Sequence, residues 1–352
     1  MISIIGAGPS GNYLAYLLAK EGKEVHVFEE HSRIGRPIQC TGLVTSYIRE
    51  LIEVSDEFLV NKINRIKVIA PDGNFVEFKL KKPDLIFDRE KFDSYIAKKA
   101  MEAGAKYHLN KKFVGFENGK IKFNDGSEFK TDFLVGSDGP LSSVAKNFGM
   151  YNGRKFMTGL QARAKGNFEK DRFVVYLGEG YFGWSVPESS EFSRIGVIAS
   201  KENPKKYFDE ILKKENAEIV EYQSGLIPVY QPGIKCQKDN VFLLGDAATM
   251  CKGSTHGGII QGMVAAVALR DYFLNGGSYD KLWKKKLGRD LFIHLKIREK
   301  IDGYKKEDLN YMVKLVKNEK IKKILETHER DFAFKIVLKT LLKEPRFLKL
   351  AF

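Results

Sequence analysis

Three glycines and one acid near the start of the chain have the spacing of a phosphate-binding turn. In MISIIGAGPSGNYLAYLLAKEGKEVHVFEE, Gly6, Gly8 and Gly11 follow an apolar run and precede an amphipathic stretch, and Glu29 closes a second apolar run. Gly6 suits a tight turn, Gly8 lets backbone approach a pyrophosphate, and Gly11 lets a helix pack on a strand. The positive end of that helix attracts phosphate. Glu29 is placed to accept from an adenosine ribose and to disfavour a 2′-phosphate. Strand, turn, helix, strand and acid in this order predict a bound dinucleotide.

A second cluster occupies VFLLGDAATMCKGSTHGGIIQGMVAAVALRDYFLNG, residues 241–276. It reads as a buried strand, a Gly-Asp turn, a small-residue loop and a long helix starting near Gly257. Asp246 is placed to hold a ribityl hydroxyl, and Gly257 and Gly258 open a helix whose positive end suits an anionic ring. His256 beside them is a candidate general acid, or else a hydrogen-bonder at the helix start. A third candidate is Cys40 in RIGRPIQCTGLV, residues 33–44, between Pro37 and a Thr41-Gly42 turn. A loop thiol can donate a proton, position a ring or form a transient adduct, or it can be a small residue in a tight turn.

These residues need elements to hold them. A chain of 352 residues exceeds the usual single-core size, so at least two subdomains are expected. The runs IAPDGNFVEFKL, 69–80, and FVGFENGKIKFNDGSEF, 113–129, alternate around DG, NG and NDG turns and predict hairpins. Within 151–234, RFVVYLG, GYFGWSVP and SRIGVIAS read as strands of an antiparallel substrate sheet, followed by a helix near 204–215. Alternation along YFGWSVP sends Phe182 and Trp184 to one face and Tyr181 and Gly183 to the other.

Composition excludes several classes. Cys40, Cys236 and Cys251 are the only cysteines, with no CxxC pair, so neither a disulfide framework nor a zinc site is expected, and no metal. The cysteine usage points to a reducing compartment. The longest apolar stretch, 259–269, is too short to span a bilayer, and no basic leader precedes the first apolar run. A cytoplasmic chain is expected. From Lys281 to Phe352 there are 21 Lys plus Arg against 10 Asp plus Glu, which is +11 of the formal +14. Apolar residues recur there at helical spacing, as in YMVKLVKNEKIKKIL, so the segment reads as basic amphipathic helices. Such helices either present an ordinary solvated face or dock peripherally on the anionic inner face of a membrane. No nucleic-acid motif accompanies the charge.

Further motifs carry a resemblance. The 241–276 segment resembles the second FAD motif of glutathione-reductase-type flavoproteins. DREKFDSYIAKKAMEAGA, 88–105, and GSDGPLSSV, 136–144, resemble DRxxFDxxLxxxAxxxGA and GADGxxSxVR of the aromatic-hydroxylase-like branch. PIQCTG and YFGWSVP resemble the cysteine loop and the (Y/F)xxWxFP segment of the geranylgeranyl reductase family, with Val186 in place of phenylalanine. The resemblance implies an α/β fold: a discontinuous Rossmann-like FAD domain (1–60, 85–150, 235–276), an inserted β substrate domain (61–84, 151–234) and a basic helical segment, 277–352. It implies FAD as cofactor, with Arg36 and Arg89 among its contacts, and it places Cys40 near the flavin. Tyr181, Phe182, Trp184 and Pro187 would line a pocket for a prenylated lipid.

The implied reaction is saturation of isolated double bonds in polyprenyl chains, in the manner of archaeal ether-lipid synthesis. An FAD monooxygenase and an electron carrier to a quinone or protein are the alternatives. No second GxGxxG unit is present, so the reductant is expected to be ferredoxin, a deazaflavin or transient NAD(P)H. Only about 75 residues follow the flavin helix, fewer than many family members carry, and Lys252 and His256 stand where the family shows Pro and a Thr/Gly-rich sequence.

Overall fold

The computed structural model describes residues 1–151, 153–199 and 203–351. Ser200, the last residue of the expected strand run SRIGVIAS, lies outside them. The chain divides into two compact units, residues 1–38, 89–155 and 228–292 in the first, and 39–88, 156–227 and 293–352 in the second.

The first unit is built on short strands that are buried along their whole length. Ile2–Ile5 and Val25–Phe28 have every residue buried, as a sheet covered on both faces requires. The sheet has six strands in the order Gln237–Lys238, Val241–Leu243, Phe133–Gly136, Ile2–Ile5, Val25–Phe28, Lys106–His108. All pairs are parallel except the edge pair Gln237–Lys238 with Val241–Leu243. The first helix, Pro9–Lys20, has proline in its opening turn, where no intrahelical N–H is lost. Its buried residues include Leu14, Ala15 and Leu18, and it packs on helices Arg89–Glu102 and Ile259–Asn275. A separate three-stranded meander, Phe113–Glu117, Lys120–Phe123 and Glu128–Lys130, turns at Asn118-Gly119. Those two residues have φ of 52° and 75°, the left-handed pair that an NG hairpin turn demands.

The second unit holds an eight-stranded sheet, and each face has its own cover. Its order is Glu218–Pro228, Phe156–Lys165, Phe192–Ala199, Tyr181–Pro187, Arg172–Gly178, Leu59–Ile69, Phe75–Phe87, Leu43–Val44. Arg172–Gly178 runs parallel to Leu59–Ile69, and the other assigned pairings are antiparallel. Helix Pro204–Glu215 sets Phe208, Ile211 and Leu212 against Val174, Tyr176, Ile195 and Val197. The alternate residues Val175 and Leu177 join Ile66, Phe78 and Leu80, and Leu309 and Val313 of helix Lys306–Val316 pack against them.

Two boundaries differ from the sequence expectation. Residues 39–60, expected with the dinucleotide domain, cluster with the second unit because Leu43 and Val44 pair with Ile86 and Leu85. The C-terminal region, expected to stand on its own, is divided: residues 277–292 cluster with the first unit, and those from 293 on join the second, where Leu309 and Val313 complete a core cluster on its sheet. Among the described residues no helix is long and apolar enough to cross a membrane.

Candidate functional site

In the first unit the three glycines perform separate tasks. Gly6 has φ +101°, and a Cβ there would stand 2.3 Å from the Ser137 carbonyl oxygen. A Cβ on Gly11 would stand 2.2 Å from the Gly6 carbonyl oxygen. Both positions therefore exclude a side chain. Gly8 differs, because a Cβ there would meet nothing within 4 Å, and no side chain caps the helix that follows it. The helix Pro9–Lys20 thus opens with no side-chain cap and room beside Gly8, features that suit a pyrophosphate.

Glu29 follows the second strand, with its carboxylate already oriented. Oε2 accepts from the Ala7 N–H at 2.9 Å, while Oε1 accepts from the His31 N–H at 3.0 Å and lies 2.6 Å from His31 Nδ1. Acceptor capacity remains on Oε2 for a ribose hydroxyl. His31 escaped the sequence reading, although an imidazole two residues past the acid could have signalled it. Arg36 and Arg33 both donate to Glu90, at 2.6 and 2.7 Å. Arg89 donates to both carboxylate oxygens of Asp93 one turn on. Asp138 accepts from the Ser142 hydroxyl and the Val144 N–H, which fixes the turn into the short helix Ser143–Asn147.

The second motif closes around Asp246. Gly245, at φ +64°, would place a Cβ 2.7 Å from Ser10 Oγ, and Gly262 would place one 2.0 Å from the same atom. These two glycines let helix Ile259–Asn275 and its preceding turn pass close to the first helix. Among the described residues no group hydrogen-bonds the Asp246 carboxylate. Desolvation raises this carboxyl to about 6, against the opposing charge of Arg89. Gly258 caps the helix without a side-chain bond, and a Cβ there would stand 2.8 Å from Asp246 Oδ1. His256 adopts φ +57°, its N–H donating to the Lys252 carbonyl at 2.8 Å, while the Lys252 N–H donates to the Gly257 carbonyl at 3.0 Å. His256 thus takes a backbone part in the turn that leads into the helix. An open Gly8, two helix starts without side-chain caps and a half-buried carboxylate that no group hydrogen-bonds fit a flavin dinucleotide.

In the second unit Cys40 lies in a turn fixed from three directions. The Gly42 N–H lies 3.3 Å from Cys40 Sγ, and Gly42 itself has φ +67° with no room for a Cβ beside the Phe87 carbonyl. The Arg194 guanidinium donates to the carbonyls of Thr41 and Phe87 at 2.5 and 3.0 Å. The Thr41 hydroxyl donates to Gln161 Oε1 at 2.6 Å, and the Trp184 indole N–H donates to the same oxygen at 3.0 Å. Gln161 was not singled out in the sequence. The sequence carries no signal for it, because Gln161 alternates with Gly159 and Arg163, opposite the apolar Leu160, Ala162 and Ala164.

Phe182 and Trp184 share a face, as alternation predicts, with ring centroids 5.9 Å apart. Val186 continues that face in a cluster with Ile63, Ile86 and Ile198. Tyr181 and Pro187 part from them. The Tyr181 ring stacks on Tyr207 of helix Pro204–Glu215 at 4.1 Å, and Pro187 falls on the Tyr181 side, its carbonyl accepting from Asn61. Tyr181 and Pro187 thus stand on the opposite face of the strand from Phe182 and Trp184, as the odd spacing along it requires.

Residues 4–47 match the family model described as an NAD(P)-binding Rossmann-like domain. The chain is 25% identical to the digeranylgeranylglycerophospholipid reductase of Methanothrix thermoacetophila, over 92% of this chain and 93% of that one. Its fold is similar to that of a geranylgeranyl bacteriochlorophyll reductase-like protein from Thermoplasma acidophilum, with a TM-score of 0.84 and 21% identity, covering 99% of this chain and 98% of that one. A flavin-dependent brominase gives a TM-score of 0.75 at 18% identity, covering 99% of each chain. The fold is shared with a flavin-dependent enzyme, and the cradle has the features of a dinucleotide site. The resemblance to geranylgeranyl reductases read from the motifs extends along nearly the whole chain.

Proposed function

We propose that the chain is an FAD-dependent reductase that saturates isolated double bonds in the prenyl chains of an archaeal-type ether phospholipid. The observation that carries this reading is that PIQCTG and YFGWSVP, far apart in sequence, are joined through one buried glutamine. The full-length similarity to a digeranylgeranylglycerophospholipid reductase supports the substrate class.

When bound, reduced FAD supplies hydride to one alkene carbon, and a proton completes the other. The chain's own residues bind, orient and exclude water. Backbone N–H groups beside Gly8 hold the pyrophosphate, Glu29 accepts from the ribose, and Asp246 accepts from the ribityl chain. An isolated alkene carries no polarising group, so alignment on a dry apolar face matters more than charge. Phe182 and Trp184 provide that face. Cys40, its sulfur beside the Gly42 N–H, is the candidate proton donor.

The substrate class also assigns a role to helix Ala333–Lys343. Leu338 and Leu342 are 47% and 71% exposed, whereas Leu309 and Val313 of helix Lys306–Val316 are buried. Lys335, Lys339 and Lys343 adjoin them, and no acid occurs from Phe332 to Lys343. Exposed leucines flanked by lysines suit an anionic lipid surface. Ferredoxin, an acidic carrier, suits the net charge as reductant.

Anaerobic reduction of the purified protein, followed by addition of a geranylgeranylated glycerophospholipid, tests the reading. Flavin reoxidation with one H2 gained per double bond supports it. A flavin that stays reduced until oxygen or a quinone is added contradicts it.

A further inference from the structure

Thr41, Trp184 and Gln223 converge on the side chain of Gln161. Its Oε1 accepts from the Thr41 hydroxyl at 2.6 Å and from the indole N–H at 3.0 Å, and its Nε2 donates to Gln223 Oε1 at 2.6 Å. Gln161, Trp184 and Gln223 are all buried. Away from water, each partner left unbonded would have no replacement hydrogen bond.

The strand register explains why this position serves. Gln161 and Trp184 stand on either side of Gly196 in neighbouring strands. A Cβ on Gly196 would meet the indole at 2.3 Å, so its absence lets the ring lie across the middle strand toward the amide. The amide suits the task because its oxygen accepts two donors while its NH2 supplies the third bond. An ionised glutamate would have no proton for Gln223, and a leucine would leave three groups unbonded.

We propose that Gln161 is a positioning residue that fixes the Cys40–Gly42 turn and the Trp184 indole in one geometry. Thiol presentation and the apolar face are then set together. The role in catalysis rests on the reductase reading, whereas the coupling between turn and ring does not.

Cys236 and Cys251 are buried and Cys40 is half-buried, so iodoacetamide labelling of the native purified protein reads Cys40. The variants are Gln161→Leu and Thr41→Val, the second keeping the shape of the side chain it replaces. Both are expected to change the Cys40 alkylation rate by about threefold or more, within the range that coupled neighbours show. Trp184→Phe should change that rate in the parent protein but not in the Gln161→Leu background.

Folded Gln161→Leu and Thr41→Val variants with the parent rate would overturn the proposal. Should Gln161→Leu not fold, an unchanged rate in Thr41→Val alone overturns it. Labelling needs neither lipid nor turnover. An unchanged rate in an enzyme that reduces lipid removes only the positioning role, and a changed rate without lipid reduction removes only the reductase reading.

Discussion

The indole of Trp184 lies over Gly196, where an added Cβ would stand 2.3 Å from Trp184 Cζ2. Gly196→Ala must displace the ring. The expected cost is about 1–3 kcal/mol, as for overpacking in a filled core. A lowered urea midpoint together with a shifted tryptophan emission checks this, and an unchanged emission contradicts the placement of the ring.

Gly8 and Gly11 should respond differently to a side chain. A Cβ at Gly8 would meet nothing, so Gly8→Val is expected to purify without flavin yet fold with the melting temperature of the flavin-free parent. Gly11→Ala forces a Cβ to 2.2 Å from the Gly6 carbonyl and should destabilise the unit itself. Absorbance of the flavin and thermal unfolding of each variant separate the two effects.

Asp246 gives the protein a pH dependence of definite sign. Its carboxyl is raised to about 6 from an ordinary value of 3.8, so the folded state binds the proton more tightly than the unfolded state. The group costs nothing below the unfolded value, and stability falls as pH rises from about 4 to about 6 and stays lower above. In flavin-free protein, Asp246→Asn should therefore raise the melting temperature at about pH 7.5 and leave it unchanged at about pH 3, below both values. Thermal scans at both pH values check the sign.

Helix Ala333–Lys343 should bind vesicles containing anionic lipid. Leu342→Glu is expected to abolish flotation with such vesicles while leaving the melting temperature unchanged, since Leu342 is 71% exposed. Replacing Lys335, Lys339 or Lys343 by alanine should weaken binding by about 1 kcal/mol each. Equal binding to neutral and anionic vesicles would contradict the charge argument.

Much of the fold was legible because its signals are local. The GxGxxG turn, the Asn118-Gly119 hairpin, helix Pro204–Glu215 and the opposite facing of Phe182 and Tyr181 follow from neighbours a few residues apart. What escaped is non-local. Gln161 meets Thr41 from 120 positions away, and nothing near either residue announces the other. The regrouping of 39–60 depends on Leu43 pairing with Ile86, and the C-terminal helices appear independent until Leu309 and Val313 are seen in the sheet's core. The charge of that segment was plain from composition. Which of its helices keeps apolar residues in solvent was not.

The central claim is tested most directly by anaerobic single turnover, with flavin absorbance followed beside the mass of an added geranylgeranylated glycerophospholipid. Reoxidation matched one for one by hydrogenated double bonds, and slowed in Cys40→Ala and Trp184→Ala, is the predicted result. A reduced flavin that is indifferent to the lipid and reoxidises only with oxygen or a quinone would contradict it.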